Sequence, residues 1–199
     1  MISYRSLAEL LLAAPSPEGC ACRIVAVDGF SGSGKSSFAA RVGRELGAPV
    51  FAMDDVIPGW DGLAASIDIV LALILEPLAR GRTARWQRYD WDELAHQEHH
   101  QLGSCPALIL DGCGSGARAL APYLTQIVWI DAPLAEREAR VRARWNWYQY
   151  EPYRELWTQQ EDDLQRVEGT AARAGLTVDN RDGDVARDHD VAFLGMVNA

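Results

Sequence analysis

Residues 28–37, DGFSGSGKSS, set three glycines and four serines around one lysine directly after the apolar run RIVAV. Gly29, Gly34, Lys35 and Ser36 have the spacing GxxxxGK[ST], with a β-type run before them and KSSFAARVGRELG, of helical character, after them. That context separates a phosphate-binding loop from an ordinary glycine turn. Glycine lets backbone N–H groups turn inward towards phosphate oxygens, and the start of the following helix adds its positive end. In such a loop Lys35 reaches the β and γ phosphates of a nucleotide and the Ser36 hydroxyl binds Mg2+. The candidate nucleotide contacts are Gly29, Ser31, Gly32, Ser33, Gly34, Lys35, Ser36 and Ser37.

The rest of the chain bears on what is done with the γ phosphate. The guanine-reading motif NKxD and the transporter-ATPase signature LSGGQ are absent, and 199 residues leave little room for the appendages of a large ATPase. A compact kinase remains. Phosphoryl transfer is mostly positioning and charge neutralisation, which requires an acid on Mg2+, an acid beside the acceptor hydroxyl and arginines over the phosphates. Asp111, at the end of ALIL, has the position of the metal-holding acid, although a turn-forming Asp before Gly112 would look the same. Asp54 ends the second apolar run, where an acceptor would enter, and is the candidate base as well as a candidate metal contact. Asp55 either shares that work or caps the next segment. In DAPLAEREARVRARW, Arg137, Arg140 and Arg144 fall at i, i+3 and i+7. Such a stripe either closes over phosphates, with Arg140 and Arg144 as the catalytic pair, or is a solvated face paired with Glu136 and Glu138. Asp131 is either the N-cap of that helix or a further catalytic acid.

The long segment 56–102 is the acceptor candidate. Trp60, Trp86, Tyr89 and Trp91 offer flat surfaces, and Arg85, Arg88 and Asp90 offer polar contacts, a combination that suits a nucleobase or another planar acceptor. Asp55, Arg88, Tyr89 and Asp90 are the candidate substrate contacts. His96, His99 and His100 read as a solvated or lid-contacting helix face, since no carboxylate or cysteine constellation joins them to make a metal site.

The elements that must position these groups follow a repeating pattern. RIVAVD, PVFAMDD, PALILD, QIVWID and GLTVD are short, apolar and end in aspartate. They predict five buried strands, and the helical stretches 35–46, 63–80, 116–123 and 133–168 between them predict an α/β fold with a five-stranded parallel sheet and helices on both faces. Ligands of such sheets bind beyond the carboxyl ends of the strands, where the aspartates gather. Length and composition predict one domain over 1–199, with the insertion at about 56–102 and a small helical lid at about 137–155. The opening SYRSLAELLLAAPSP, interrupted by Glu9, reads as an amphipathic helix rather than a secretory signal. No run approaches the ~18 apolar residues of a membrane span.

A net charge of −9 leaves no broad basic surface, so neither nucleic acid nor an anionic membrane is an expected partner. Four cysteines with one CxC pair indicate neither a disulfide framework nor zinc, and fit a reducing cytoplasm. The oligomeric state is open, a homo-oligomer included. The last stretch, NRDGDVARDHDVAFLGMVNA, is expected as a terminal extension that frays in part.

In order, DGFSGSGKSS, MDDVIPGWDGL, QRYDW, LILDGCGSG and VWIDAPLAEREARVRAR resemble the uridine kinase-like branch of the P-loop kinases over about residues 22–180. The resemblance implies a nucleoside and nucleotide kinase fold, ATP with Mg2+, and transfer to a hydroxyl of a small molecule, such as the 5′-hydroxyl of uridine or cytidine. It implies Asp54 as the base, Tyr89 and Asp90 in an acceptor-side YD element, Asp111 as the acidic strand end, and Arg140 with Arg144 in the lid. Asp111 stands where that family usually has glutamate, and Val56 and Ile57 stand where it has a Phe-Tyr pair. Two other functions remain open. A nucleoside monophosphate kinase would need Arg80, Arg82, Arg85 and Arg88 as a phosphate clamp, and a regulatory ATP-binding domain would need no base.

Overall fold

Apolar runs of four to six residues cannot satisfy their backbone groups alone, and a shared sheet lets them do so while both faces are covered. In the computed structural model, which describes residues 2–183 and 192–195, the five runs are β1 (Arg23–Asp28), β2 (Val50–Ala52), β5 (Ala107–Asp111), β6 (Gln126–Asp131) and β7 (Leu176–Asp179). They form a parallel sheet in the order β2-β5-β1-β6-β7. A short strand β8 (Ala192–Gly195) pairs antiparallel with β7. It falls in the stretch expected as a fraying extension; the rest of that stretch beyond Gly183 lies outside the described residues.

Alternation along β1 assigns the two faces. Val25 and Val27 pack with Phe38 and Val42 of α2 (Lys35–Leu46) and with Leu7 and Leu11 of α1 (Tyr4–Ala13). Ile24 and Ala26 point the other way, towards Val70, Ile74, Leu75 and Leu78. These last residues belong to a helical run made of α3 (Ala65–Val70), a π-helical turn (Leu71–Leu75) and α4 (Glu76–Ala79). The expected helix at 116–123 reduces to a 3₁₀ turn at Ala121–Tyr123, where Pro122 removes a backbone donor. The stretch 133–168 is broken into α5 (Leu134–Arg142), α6 (Trp147–Tyr150), a 3₁₀ turn at Glu151–Tyr153 and α7 (Arg154–Glu168), followed by α8 (Thr170–Arg173). Pro152 lies within the break.

The insertion differs most from expectation. Residues 84–102 form an antiparallel hairpin, β3 (Ala84–Asp90) and β4 (Ala95–Leu102), so His96, His99 and His100 lie on a strand and not on a helix. They pair with β3, and His100 stacks on Trp86 with ring centroids 5.7 Å apart. The hairpin is largely exposed along β4, so it carries no strong hydrophobic period. Its register shifts between Gln87 and Tyr89, a bulge of the kind that re-aims side chains beside active sites. No helix of the described residues is long and apolar enough to cross a membrane.

One buried carboxylate joins the loops above β1 and β5. Asp28 accepts N–H bonds from Gly29 (2.7 Å), Gly116 (2.9 Å) and Gly114 (3.2 Å). Asp28→Ala would leave these buried donors without a partner, at roughly 1–3 kcal/mol each. The expected result is a loss of about 3 kcal/mol or more in urea unfolding, with a smaller loss for Asp28→Asn, which keeps one acceptor oxygen.

Candidate active site

At the carboxyl end of β1 the chain turns through glycines that no other residue could replace without displacement. Gly32 has φ +79°, and a Cβ there would come within 2.3 Å of the Arg137 carbonyl oxygen; Gly34 has φ +102° at the N-cap of α2. This backbone places Lys35 in the first turn of α2, where its Nζ donates to the Phe30 carbonyl at 3.0 Å. Burial works against the Lys35 ammonium, but the carboxylates of Glu161, Asp111 and Asp28 around it outweigh that and hold its pKa above the ordinary value. The lysine is therefore a buried, fully charged cation.

Asp111 ends β5 with Ser36 against its carboxyl. Burial pushes its pKa up to about 6, against the pull of Lys35 and Ser36. Its Oδ1 is buried with no hydrogen-bond partner, which fits a site for a hard cation. Among the described residues no group of three acidic, His or Cys side chains could cage a metal ion. A two-group site is what Mg2+ uses, since it takes one or two protein oxygens and completes its shell with phosphate and water.

A cavity of about 500 Å³ opens from this point. Ser31, Gly32, Gly34, Lys35, Ser36 and Ser37 line it together with Asp54, Asp55, Arg88, Tyr89, Asp111 and Arg144. Asp54 is open to the cavity water, yet the concave wall still desolvates its carboxyl and pushes its pKa up, against the pull of Lys35 and Arg144. Asp55 accepts an ion pair from Arg88 at 3.3 Å.

Other expected residues are placed elsewhere. Gly29 and Ser33 do not line the cavity, and the Ser33 hydroxyl is buried without a partner. Asp90 caps the hairpin turn, accepting the N–H groups of Asp92 (2.9 Å) and Glu93 (3.0 Å), and faces a smaller adjoining recess. Arg140 does not line the cavity: its guanidinium donates to the carbonyls of Asn180 (2.8 Å), Arg181 (3.1 Å) and Gly32 (3.4 Å). Arg137 lies over the Phe30 ring at 4.6 Å. The arginine stripe therefore splits, with Arg144 alone of the three reaching the cavity, because α5 ends at Arg142. Asp131 is exposed and does not cap α5, which starts after Pro133. Trp86 packs against Phe51, away from the cavity.

Three site residues escaped the sequence reading. Tyr150 and Trp157 of the lid join Trp60 and Trp91 in one aromatic wall, with Trp60 at 4.7 Å from Trp91 and 5.9 Å from both Tyr150 and Trp157. Glu161 of α7 is buried against the phosphate loop, its Oε1 accepting the Ser31 N–H at 2.7 Å and the Cys113 S–H at 2.8 Å. The aromatic content of WNWYQYEPYRELW was the only available signal for the first two; Glu161 offered none.

The glycine loop at the central strand, the acidic end of the neighbouring strand and the lid helices together define the fold of a uridine kinase-like P-loop kinase. The chain superposes on a protein described as a possible uridine kinase from Bacillus stearothermophilus with a TM-score of 0.64 at 18% identity, over 87% of this chain and 96% of that one. It also superposes on a protein given provisionally as a fructose transport system kinase from Silicibacter sp. TM1040, with a TM-score of 0.59 at 18% identity, over 76% of this chain and 89% of that one. At these identities the likeness is one of fold. No protein-family model matches the chain, and no curated protein matches its sequence.

The Asp111 carboxyl gives a prediction with a definite sign. Its pKa of about 6 in the folded chain exceeds the ordinary ~4, so folding favours its protonated form, and the group loses stability as pH rises from about 4 to 6, by on the order of 2–3 kcal/mol. Asp111→Asn should therefore melt higher than the wild type at pH 7.5 without ligand, with no such gain near pH 4. Differential scanning calorimetry at the two pH values checks this.

Proposed function

We propose that this chain is an ATP-dependent phosphotransferase that moves the γ phosphate to a hydroxyl of a small molecule, a nucleoside such as uridine or cytidine being the class that the site suits. The observation that carries this reading is one cavity with a buried lysine, Ser36 and the unpartnered Asp111 oxygen at one end, Asp54 on its wall, and aromatic rings beyond. Inward-turned backbone N–H groups and Lys35 would hold the β and γ phosphates. Ser36 and Asp111 would hold Mg2+, with Asp54 near enough to contribute, and the ion would supply charge neutralisation between the phosphates. Asp54 would take the proton of the acceptor hydroxyl as its oxygen approaches, and Arg144 would balance the charge that spreads over the transferring group. Tyr89, Trp60 and Trp91 would flank a planar acceptor, with Asp55 and Arg88 fixing its polar edge. Arg140, pinned to backbone carbonyls, would act by holding the phosphate loop against β7.

A monophosphate acceptor is less well served. Arg80 pairs with Glu76 at 3.4 Å, Arg82 and Arg85 are exposed away from the cavity, and Arg88 is already paired with Asp55. These four arginines form no clamp. A purely regulatory ATP-binding domain would have no use for a carboxylate facing Lys35 and Arg144 across an acceptor-sized space. In keeping with four free cysteines, we take the chain to work in the cytoplasm as one kinase domain on a small-molecule partner, alone or as a homo-oligomer.

The test is a panel assay of ADP formation with nucleosides, nucleoside monophosphates, sugars and no acceptor. Nucleosides should give the highest turnover; a best acceptor that already bears a phosphate would overturn the hydroxyl assignment. Lys35→Ala should remove most transfer, and Asp54→Asn should lower it by on the order of 10² with ATP affinity retained. Since Asp54 must be ionised to accept a proton and its pKa is raised, kcat/KM should fall with decreasing pH through a value above the ordinary ~4. The Asn variant should lack that acid limb.

A further inference from the structure

The lid helix α7 holds both halves of the site through two consecutive residues. Gln160 clamps the acceptor loop: its Nε2 donates to the Trp60 carbonyl at 2.7 Å and its Oε1 accepts the Leu63 N–H at 3.2 Å. Glu161 clamps the phosphate loop through the Ser31 N–H at 2.7 Å and also holds the Cys113 thiol that follows Asp111. One turn earlier, Trp157 lies against Trp60 and donates its indole N–H to the Ser31 hydroxyl at 3.2 Å. Trp157 and Glu161 are buried, and they are spaced i and i+4 on one face of α7. A backbone amide and a hydroxyl of the same loop residue are thus fixed by one helix whose next side chain fixes the acceptor wall.

This arrangement has a mechanical consequence. A helix is stiff on the length of a single turn, and side-chain amides bonded to two backbone groups have one favourable position. Any shift of Ser31 when phosphate fills the loop must move Glu161 and Trp157. It must then move Gln160 and, through it, residues 60–63. We propose that Gln160 and Glu161 are positioning residues that couple the phosphate loop to the acceptor loop, so that nucleotide binding orders the acceptor wall before the acceptor arrives. The proposal rests on the kinase reading above, and goes beyond it in assigning the route between its two subsites. Coupling of this kind is reciprocal, so acceptor binding would tighten nucleotide binding by the same factor.

The test needs no knowledge of the acceptor. Hydrogen exchange read by mass spectrometry is measured on the whole chain with and without a non-hydrolysable ATP analogue and Mg2+, and binding of the analogue is measured separately by calorimetry. In the wild type the analogue should slow exchange in the phosphate loop and also in residues 60–63, which bear none of the nucleotide contacts proposed above. Gln160→Ala removes the bonds to Trp60 and Leu63 and touches no proposed nucleotide contact. It should keep affinity within about threefold and protection of the phosphate loop, yet lose the nucleotide-dependent slowing at 60–63. Glu161→Ala should lose the remote slowing as well, and Glu161→Gln, which retains an oxygen for the Ser31 N–H, should restore it; a merely structural role would not give this pattern. Slowing at 60–63 that is absent in the wild type, or that persists in both alanine variants, overturns the proposal. A calorimetric titration without binding overturns the kinase reading, and this proposal with it.

Discussion

One buried cation, the only one among the described residues, organises this molecule. Lys35 lies in the first turn of α2, largely withdrawn from water, and a charge in that position survives only if anions face it. Asp28, Asp111 and Glu161 supply them from β1, β5 and α7. Two of the three also bind backbone, since Asp28 gathers three glycine N–H groups and Glu161 holds Ser31. The third, Asp111, keeps an unpartnered oxygen. Two of the anions are satisfied by the chain itself, whereas Asp111 is left short of a partner. That asymmetry is what supports the cation site proposed above.

The other half of the site is built from rings. Trp60 and Trp91 of the insertion meet Tyr150, Tyr153 and Trp157 of the lid, with Trp60 stacked on Tyr153 at 4.7 Å. Aromatic contacts of this type add about 0.5–1.5 kcal/mol per pair beyond the area they bury. They tie α6, the 3₁₀ turn after it and α7 to the insertion. The β-bulge between Gln87 and Tyr89 presents Arg88 and Tyr89 to the same space from the far side. The aromatic wall and the polar pair Arg88 and Tyr89 thus line one cavity.

Much of this was readable in the amino-acid sequence, for reasons that particular residues make plain. β1, β5 and β6 are buried along nearly their whole length, so they stand out as unbroken apolar runs that end in aspartate, whereas β2 stops at Ala52, two residues short of Asp54. The phosphate loop is local in sequence, and its register needs no tertiary information. Arg140 and Asp90 were legible by type but not by direction: a guanidinium that meets three carbonyls, and a carboxylate that closes a turn, look the same in sequence as ligand contacts. The hairpin at 84–102 was not legible, because β4 is exposed and rich in histidine and glutamine. Glu161 was hidden for the opposite reason. It occurs within a run of acidic and amide residues on α7, and only packing against Ser31 separates it from its exposed neighbours.

The central claim is that Lys35 and the open Asp111 oxygen form a single polyphosphate and Mg2+ site. Calorimetric titration of the wild-type chain with ATP, once with excess Mg2+ and once with a chelator, tests this most directly. The account predicts saturable one-to-one binding with Mg2+ that weakens at least tenfold, roughly 1.4 kcal/mol, when the metal is removed, because Asp54, Asp55 and Asp111 on the cavity wall then face the phosphates with less charge to offset them. Equal affinity under the two conditions, or no saturable binding in either, would contradict it.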